Sequence, residues 1–201
     1  MRIIAGSARG RKLASPPGER TRPLLDRVRE ALFSILGDRV EGARVLDLYA
    51  GTGSIGLEAL SRDAASCVFV ERDRSALECL LENIAALGFG ERSRVVKGRV
   101  EDQLLRPPEE RYELVFLDPP YAELREPLRR RATLDLARRL FAERVAAAGL
   151  LVFHYPRDLL DATELGAIGA CDQRAWGTTE IALFEAPDPA ARMEEGGGDA
   201  G

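Results

Sequence analysis

From residue 44 onward the chain alternates between short apolar runs of strand character and stretches with helical spacing. No other feature constrains the fold as strongly. Strands are expected at residues 44–49, 67–71, 94–96, 113–118 and 150–154. Between them lie helical patterns at residues 55–60, 76–87 and 134–147, with a short helical segment near residues 100–105. Strands separated by helices of this length pair in parallel through right-handed crossovers. The ending differs. Two more strands are expected near residues 167–175 and 180–184, with only the turn material Gly177-Thr178 between them, so a hairpin makes the last strand antiparallel. The expected class is α/β: a seven-stranded, mostly parallel sheet with an antiparallel last strand, plus an N-terminal extension.

The extension covers residues 1–24. Residues 1–14 alternate weakly, as a hairpin or an extended arm, and residues 15–22 read as a Pro/Gly linker. The main domain is expected over residues 25–186. It opens with a helix from Asp26, a plausible N-cap, with apolar residues at Val28, Ala31, Leu32, Ile35 and Leu36. Residues 187–201, rich in Gly, Pro, Ala and acids, are expected to be a disordered tail.

With 45% apolar residues in a chain of 201, a packed core is expected. No apolar run approaches the roughly 20 residues that span a bilayer, and the opening Met1-Arg2-Ile3-Ile4 is too quickly basic for a signal peptide. The expectation is a cytoplasmic protein without a membrane partner. Cys67, Cys79 and Cys171 are scattered and odd in number, and His154 is the only histidine, so free thiols and no metal are expected. The net charge is −4, but residues 1–30 hold eight basic residues against three acids, a local +5 that leaves −9 for the rest. That asymmetry points to an anionic partner at the N-terminal end.

After the first strand the chain reads Asp47-Leu48-Tyr49-Ala50-Gly51-Thr52-Gly53-Ser54-Ile55-Gly56 and opens a helix. Gly51, Gly53 and Gly56 satisfy G-x-G-x-x-G, and the second strand ends in Glu71, placed for ribose hydroxyls. A dinucleotide site sets its glycines directly after the strand, against a pyrophosphate. Here Asp47 precedes them, and its carboxylate would repel a pyrophosphate while suiting water or the ammonium of an amino-acid moiety. With lysine only at Lys12 and Lys97, there is no Tyr-x-x-x-Lys pair for hydride chemistry.

The apolar run Leu114-Val115-Phe116-Leu117 ends in Asp118-Pro119-Pro120-Tyr121. Neither proline can donate a backbone hydrogen bond, so the chain leaves the sheet there as a stiff loop. It presents carbonyl oxygens, one carboxylate and one flat ring, a set suited to a planar substrate with an exocyclic amino group.

Together these motifs resemble the class I S-adenosylmethionine-dependent methyltransferases, and within them the RsmD-type 16S rRNA (guanine-N2)-methyltransferases. The resemblance runs through Arg2-Ile3-Ile4-Ala5-Gly6, Gly10-Arg11-Lys12-Leu13, Thr21-Arg22-Pro23, Asp26-Arg27-Val28-Arg29-Glu30, Gly56-Leu57-Glu58-Ala59-Leu60-Ser61-Arg62 and Asp118 to Tyr121. It implies the Rossmann-like fold of that class and S-adenosyl-L-methionine as cofactor, with S-adenosyl-L-homocysteine as product. It implies cofactor contacts at Asp47, Tyr49, Ala50, Gly51, Thr52, Gly53, Glu71, Arg72, Arg99, Val100 and Asp118. Gly98-Arg99-Val100-Glu101 replaces the acidic residue and alanine usual beside the adenine, and His154 stands where a strand-end glutamate is common. His154 is read as structural rather than as a base.

The implied catalytic residues are Asp118, Pro119 and Tyr121. The Asp118 carboxylate and the Pro119 carbonyl accept hydrogen bonds from a guanine amine, and Tyr121 stacks on a flipped-out base. Arg9, Arg11, Lys12, Arg22, Arg27 and Arg29 are expected to contact phosphates. The implied partner is 16S rRNA in the small ribosomal subunit or an assembly intermediate. Alternatives from the same motif are an adenine-N6 DNA methyltransferase and a protein glutamine-N5 methyltransferase. An assembly factor that binds S-adenosylmethionine without turnover is the non-enzymatic one.

Overall fold

The computed structural model describes residues 1–16, 26–105 and 111–188. Its strands are β1 (Arg44–Leu48), β2 (Ser66–Glu71), β3 (Ser93–Lys97), β4 (Tyr112–Leu117), β5 (Val145–Pro156), β6 (Cys171–Trp176) and β7 (Thr179–Glu185). They form one sheet in the order β3-β2-β1-β4-β5-β7-β6. β1 to β5 run parallel, and β7 is antiparallel to both β5 and β6, as the Gly177-Thr178 turn requires. The helices are α1 (Asp26–Leu36), α2 (Ser54–Ser61), α3 (Arg74–Leu87), α4 (Tyr121–Arg125), α5 (Pro127–Arg144) and α6 (Ala162–Gly166). Among the described residues no helix is long and apolar enough to cross a membrane.

The period-2 geometry of the strands divides the core into two layers. Val45, Phe69 and Phe116 face α1, α2, α3 and the N-terminal residues Ile3 and Leu13. Leu46, Val70 and Val115 face Leu136 and Leu140 of α5 and Leu165 of α6. The chain winds outward from β1 through β2 to β3, then returns to β4 on the other flank of β1. The crevice at the carboxyl ends of β1 and β4 is therefore a topological switch point, where open α/β sheets bind ligands.

Two expected boundaries are corrected. The helix expected at residues 134–147 spans Pro127–Arg144, and residues 145–147 belong to β5. Alanines at 146–148 favour helix, but Val145 pairs with Tyr112, and Arg111 Nη1 donates to the carbonyls of Ala142 (3.2 Å) and Val145 (3.0 Å), closing the helix end. The strand expected from residue 167 begins at Cys171. Asp161 and Glu164 form a reciprocal capping box that makes α6 just before it.

The N-terminal residues are folded onto this frame. Ile3 N–H donates to Arg11 O (3.0 Å) and Gly10 N–H to Ile3 O (2.9 Å), with a single antiparallel bridge between Arg2 and Lys12. The loop is clasped by α2: Glu58 accepts the N–H groups of Ile4 (2.7 Å) and Ala5 (3.0 Å), and Ser61 Oγ accepts that of Ala8 (2.9 Å). Gly6 has φ +80°, and a Cβ there would lie 1.7 Å from Ser61 O, so only glycine lets the two backbones meet.

Candidate functional site

The first half of the site is built from carboxylates that receive main-chain N–H groups. Glu71, at the end of β2, takes Gly51 N–H on Oε2 (2.8 Å) and the N–H groups of Arg72 and Asp73 on Oε1 (both 2.7 Å). Asp47 is 1% exposed and takes Gly56 N–H on Oδ2 (2.9 Å). Burial pushes its carboxyl up to about 7; the Gly56 bond opposes this, and the charges of Asp118 and Glu71 add to it. A Cβ on Gly56 would fall 2.4 Å from the Phe69 ring, so this glycine lets α2 pack directly against β2.

Tyr49, Val70, Glu71, Arg72, Gly98, Arg99, Val100 and Glu101 line one cleft beside this loop. Of the expected cofactor residues, the structure thus brings Tyr49, Glu71, Arg72, Arg99 and Val100 together, with residues 50–53 forming the adjoining turn. Tyr49 adopts φ +59°, a left-handed conformation unusual for an aromatic residue. Its hydroxyl donates to Glu123 Oε2 (3.2 Å), while Arg72 Nη2 donates to Glu123 Oε1 (3.0 Å). Glu123 on α4 was not among the expected site residues. Its signal was its place two residues after Tyr121. Thr52 is buried, and its carbonyl accepts Asn83 Nδ2 (3.0 Å), while Asn83 Oδ1 accepts Ala14 N–H (2.7 Å).

The second half is made by side chains. Leu48 of β1 is in register with Leu117 of β4, so Asp118 emerges beside Tyr49. Pro119 is buried and Pro120 exposed. Asp118 Oδ1 lies 2.6 Å from His154 Nδ1. His154 Nε2 meets Thr179 Oγ1, which also lies 2.8 Å from Tyr121 Oη. The Tyr121 and His154 rings are 5.7 Å apart. Thr179 is not among the expected site residues, and His154 is expected to be structural rather than a base. The available signal was that His154 is the one titratable residue ending the run Leu150-Leu151-Val152-Phe153.

The expected phosphate-contacting residues separate. Arg9, Lys12 and Arg27 are exposed. Arg11 is exposed, and its Nη2 donates to Ala86 O (2.7 Å). Arg22 lies outside the described residues. Arg29 is a correction: it is fully buried, donates to Arg2 O and to Asp26 Oδ1 (3.1 Å), and sits 3.7 Å from the buried Glu58 carboxylate. Burial lowers its pKa against the opposing pull of Glu58 and Asp26. It faces the clasp and not solvent.

The family described as conserved hypothetical protein 95 matches residues 1–185. The Bacillus subtilis protein YlbH is 33% identical over 187 residues, covering 92% of this chain and 98% of its own length. Ribosomal RNA small subunit methyltransferase D of Escherichia coli K12 is 43% identical over 121 residues, and the match covers 60% of each chain. A solved hypothetical protein of Thermus thermophilus superposes with TM-score 0.75 at 35% identity, covering 92% of this chain and 99% of that one.

Proposed function

This chain belongs to the conserved hypothetical protein 95 family, and on that premise we propose that it methylates the exocyclic N2 of a guanine in 16S rRNA, using S-adenosylmethionine. The coarser part, S-adenosylmethionine-dependent methylation of rRNA, is supported by the name of the Escherichia coli relative, a small-subunit rRNA methyltransferase. An amine as the acceptor is supported by one observation, a carboxylate followed by a buried proline, Asp118-Pro119, at the switch point beside the Tyr49 and Glu71 cleft; guanine N2 is the amine that the family resemblance implies.

The residues suit the cofactor. Glu71 is held by three main-chain donors and, of its roughly four acceptor sites, retains one for a ribose hydroxyl. Tyr49, Arg72, Arg99 and Val100 wall the same cleft, and Ala50, Gly51, Thr52 and Gly53 bring backbone close to it. When bound, S-adenosylmethionine supplies a methyl group on a cationic sulfur that departs as a neutral thioether.

The protein's work is orientation. A guanine amine is a poor nucleophile because its lone pair is delocalised into the ring. The Asp118 carboxylate and the Pro119 carbonyl each accept one N–H, turning the lone pair toward the methyl group. Positioning of this kind supplies much of the acceleration in a bimolecular transfer. Asp118 also stabilises the positive charge that develops on nitrogen. Tyr121 stacks on the extruded base. Arg9, Lys12 and Arg27 add salt-dependent attraction to phosphates. Such an enzyme works in the cytoplasm, on the small subunit or on an assembly intermediate.

The test is methyl transfer from labelled S-adenosylmethionine to small subunits lacking this modification, followed by mass mapping of 16S rRNA. A single N2-methylguanine is expected. Methyladenine, or labelling of DNA or protein but not of rRNA, would overturn the proposal.

A further inference from the structure

Resting on that reading of Asp118, the geometry points to His154 as a positioning residue that fixes which Asp118 oxygen receives the substrate amine. Asp118 Oδ1 and His154 Nδ1 are 2.6 Å apart, so one proton must lie between them. With Asp118 ionised, Nδ1–H is the donor to it. On the far side of the ring Nε2 meets Thr179 Oγ1, whose hydroxyl also donates to Tyr155 O at 3.3 Å. Tyr121 Oη lies 2.8 Å from the same Thr179 Oγ1 and 3.3 Å from Nε2.

Asp118, His154, Thr179 and Tyr121 thus form one continuous hydrogen-bonded chain. Members of such a chain polarise one another in a low-dielectric interior, and the His154 side chain is 8% exposed. The titratable groups recorded against the imidazole, among the described residues, are Asp118 at the end of β4 and Tyr121 on α4; β7 contributes Thr179.

The consequence is a division of labour within one carboxylate. Oδ1 is committed to His154, so Oδ2 is left for the N–H of the substrate. The same chain tethers the Tyr121 hydroxyl and so sets the tilt of the ring against which the base would stack. As a positioning residue His154 acts through Asp118 and Tyr121.

Because His154 is the only histidine, imidazole nitrogen NMR of the whole protein reports it alone. The expected spectrum shows a protonated Nδ1, changed by Asp118→Asn; an unprotonated Nδ1 would overturn the proposal whether or not the rRNA reading stands. In the transfer assay, His154→Leu should lower kcat about 100-fold while the KM for S-adenosylmethionine stays put. His154→Asn keeps a donor near the Nδ1 position and should recover most of that loss, with a pH–rate profile lacking the imidazole's contribution. Equal kcat in the Leu and Asn variants, or a Leu variant as active as wild type, would refute the assignment. An inactive wild type alongside an Nδ1–H spectrum would instead count against the rRNA reading.

Discussion

The two halves of the crevice are held in opposite ways. On the β1–β2 side, carboxylates are fixed by main-chain N–H groups: Gly51, Arg72 and Asp73 on Glu71, and Gly56 on Asp47. On the β4–β5–β7 side, a carboxylate is fixed by side chains, through His154, Thr179 and Tyr121. A backbone-held group keeps its place whatever side chains the loop carries, which suits an invariant ligand. A side-chain network can be retuned one residue at a time, which suits a substrate that must be discriminated. Glu123 joins the halves, accepting from Tyr49 and Arg72 while lying on the helix that begins at Tyr121.

The sharpest break between the halves should come from Asp118→Ala. Methyl transfer is expected to fall about a thousandfold, with S-adenosylmethionine still bound by calorimetry. An equal loss of binding would mean that the halves are not separable. Glu71→Ala is the reciprocal change. Cofactor affinity should drop about 30-fold, roughly 2 kcal/mol for hydrogen bonds to a charged group, while kcat at saturating cofactor is largely retained. A kcat loss that saturating cofactor does not repair would contradict the division.

Asp47→Asn probes the backbone-held side by pH. The folded carboxyl titrates near 7, above its ordinary value, because burial disfavours the charge. Its contribution to stability is complete below the unfolded pKa and is lost as pH rises through about 7. Asparagine can still accept Gly56 N–H but cannot ionise. Without cofactor, the melting temperature of the variant relative to wild type should therefore climb between pH 5 and pH 8, by about 3 °C for each kcal/mol removed. A pH-independent difference would show that Asp47 does not carry the shift.

The smallest effect is expected at the bridge. Glu123→Gln should weaken cofactor binding and kcat each by only a few-fold, about 1 kcal/mol or less, since Arg72 is largely exposed. A double-mutant cycle with Tyr49→Phe should show coupling. Strict additivity would remove Glu123 as a link between the halves.

The same contrast explains what was legible in the sequence. Asp47 meets Gly56 nine residues on, and Glu71 reaches Gly51 twenty residues back, so one strand–loop–helix unit carries most of the first half as a motif. The second half joins Asp118, Tyr121, His154 and Thr179 across separations of 25 to 58 residues, and no local spacing encodes that meeting. Arg29 went astray for another reason. It was grouped by charge with its basic neighbours, yet it shares the face of α1 that carries Leu32, Phe33 and Leu36, all buried. Helical phase, and not charge, decided its place. The boundary of β5 was lost because alanine's helix preference yields to strand pairing.

The clasp on α2 also bears on how the chain is made. Ile4 and Ala5 donate to a carboxylate more than fifty residues downstream, and Arg29 packs against that same Glu58. These early segments are synthesised well before their partner. At about 5–20 residues per second, several seconds separate them from residue 58, and then only once it has cleared the exit tunnel. The loop holding Ile4 and Ala5 is thus made before α2 yet cannot be seated until α2 forms. Folding begun from that loop has no stable stopping point before residue 58.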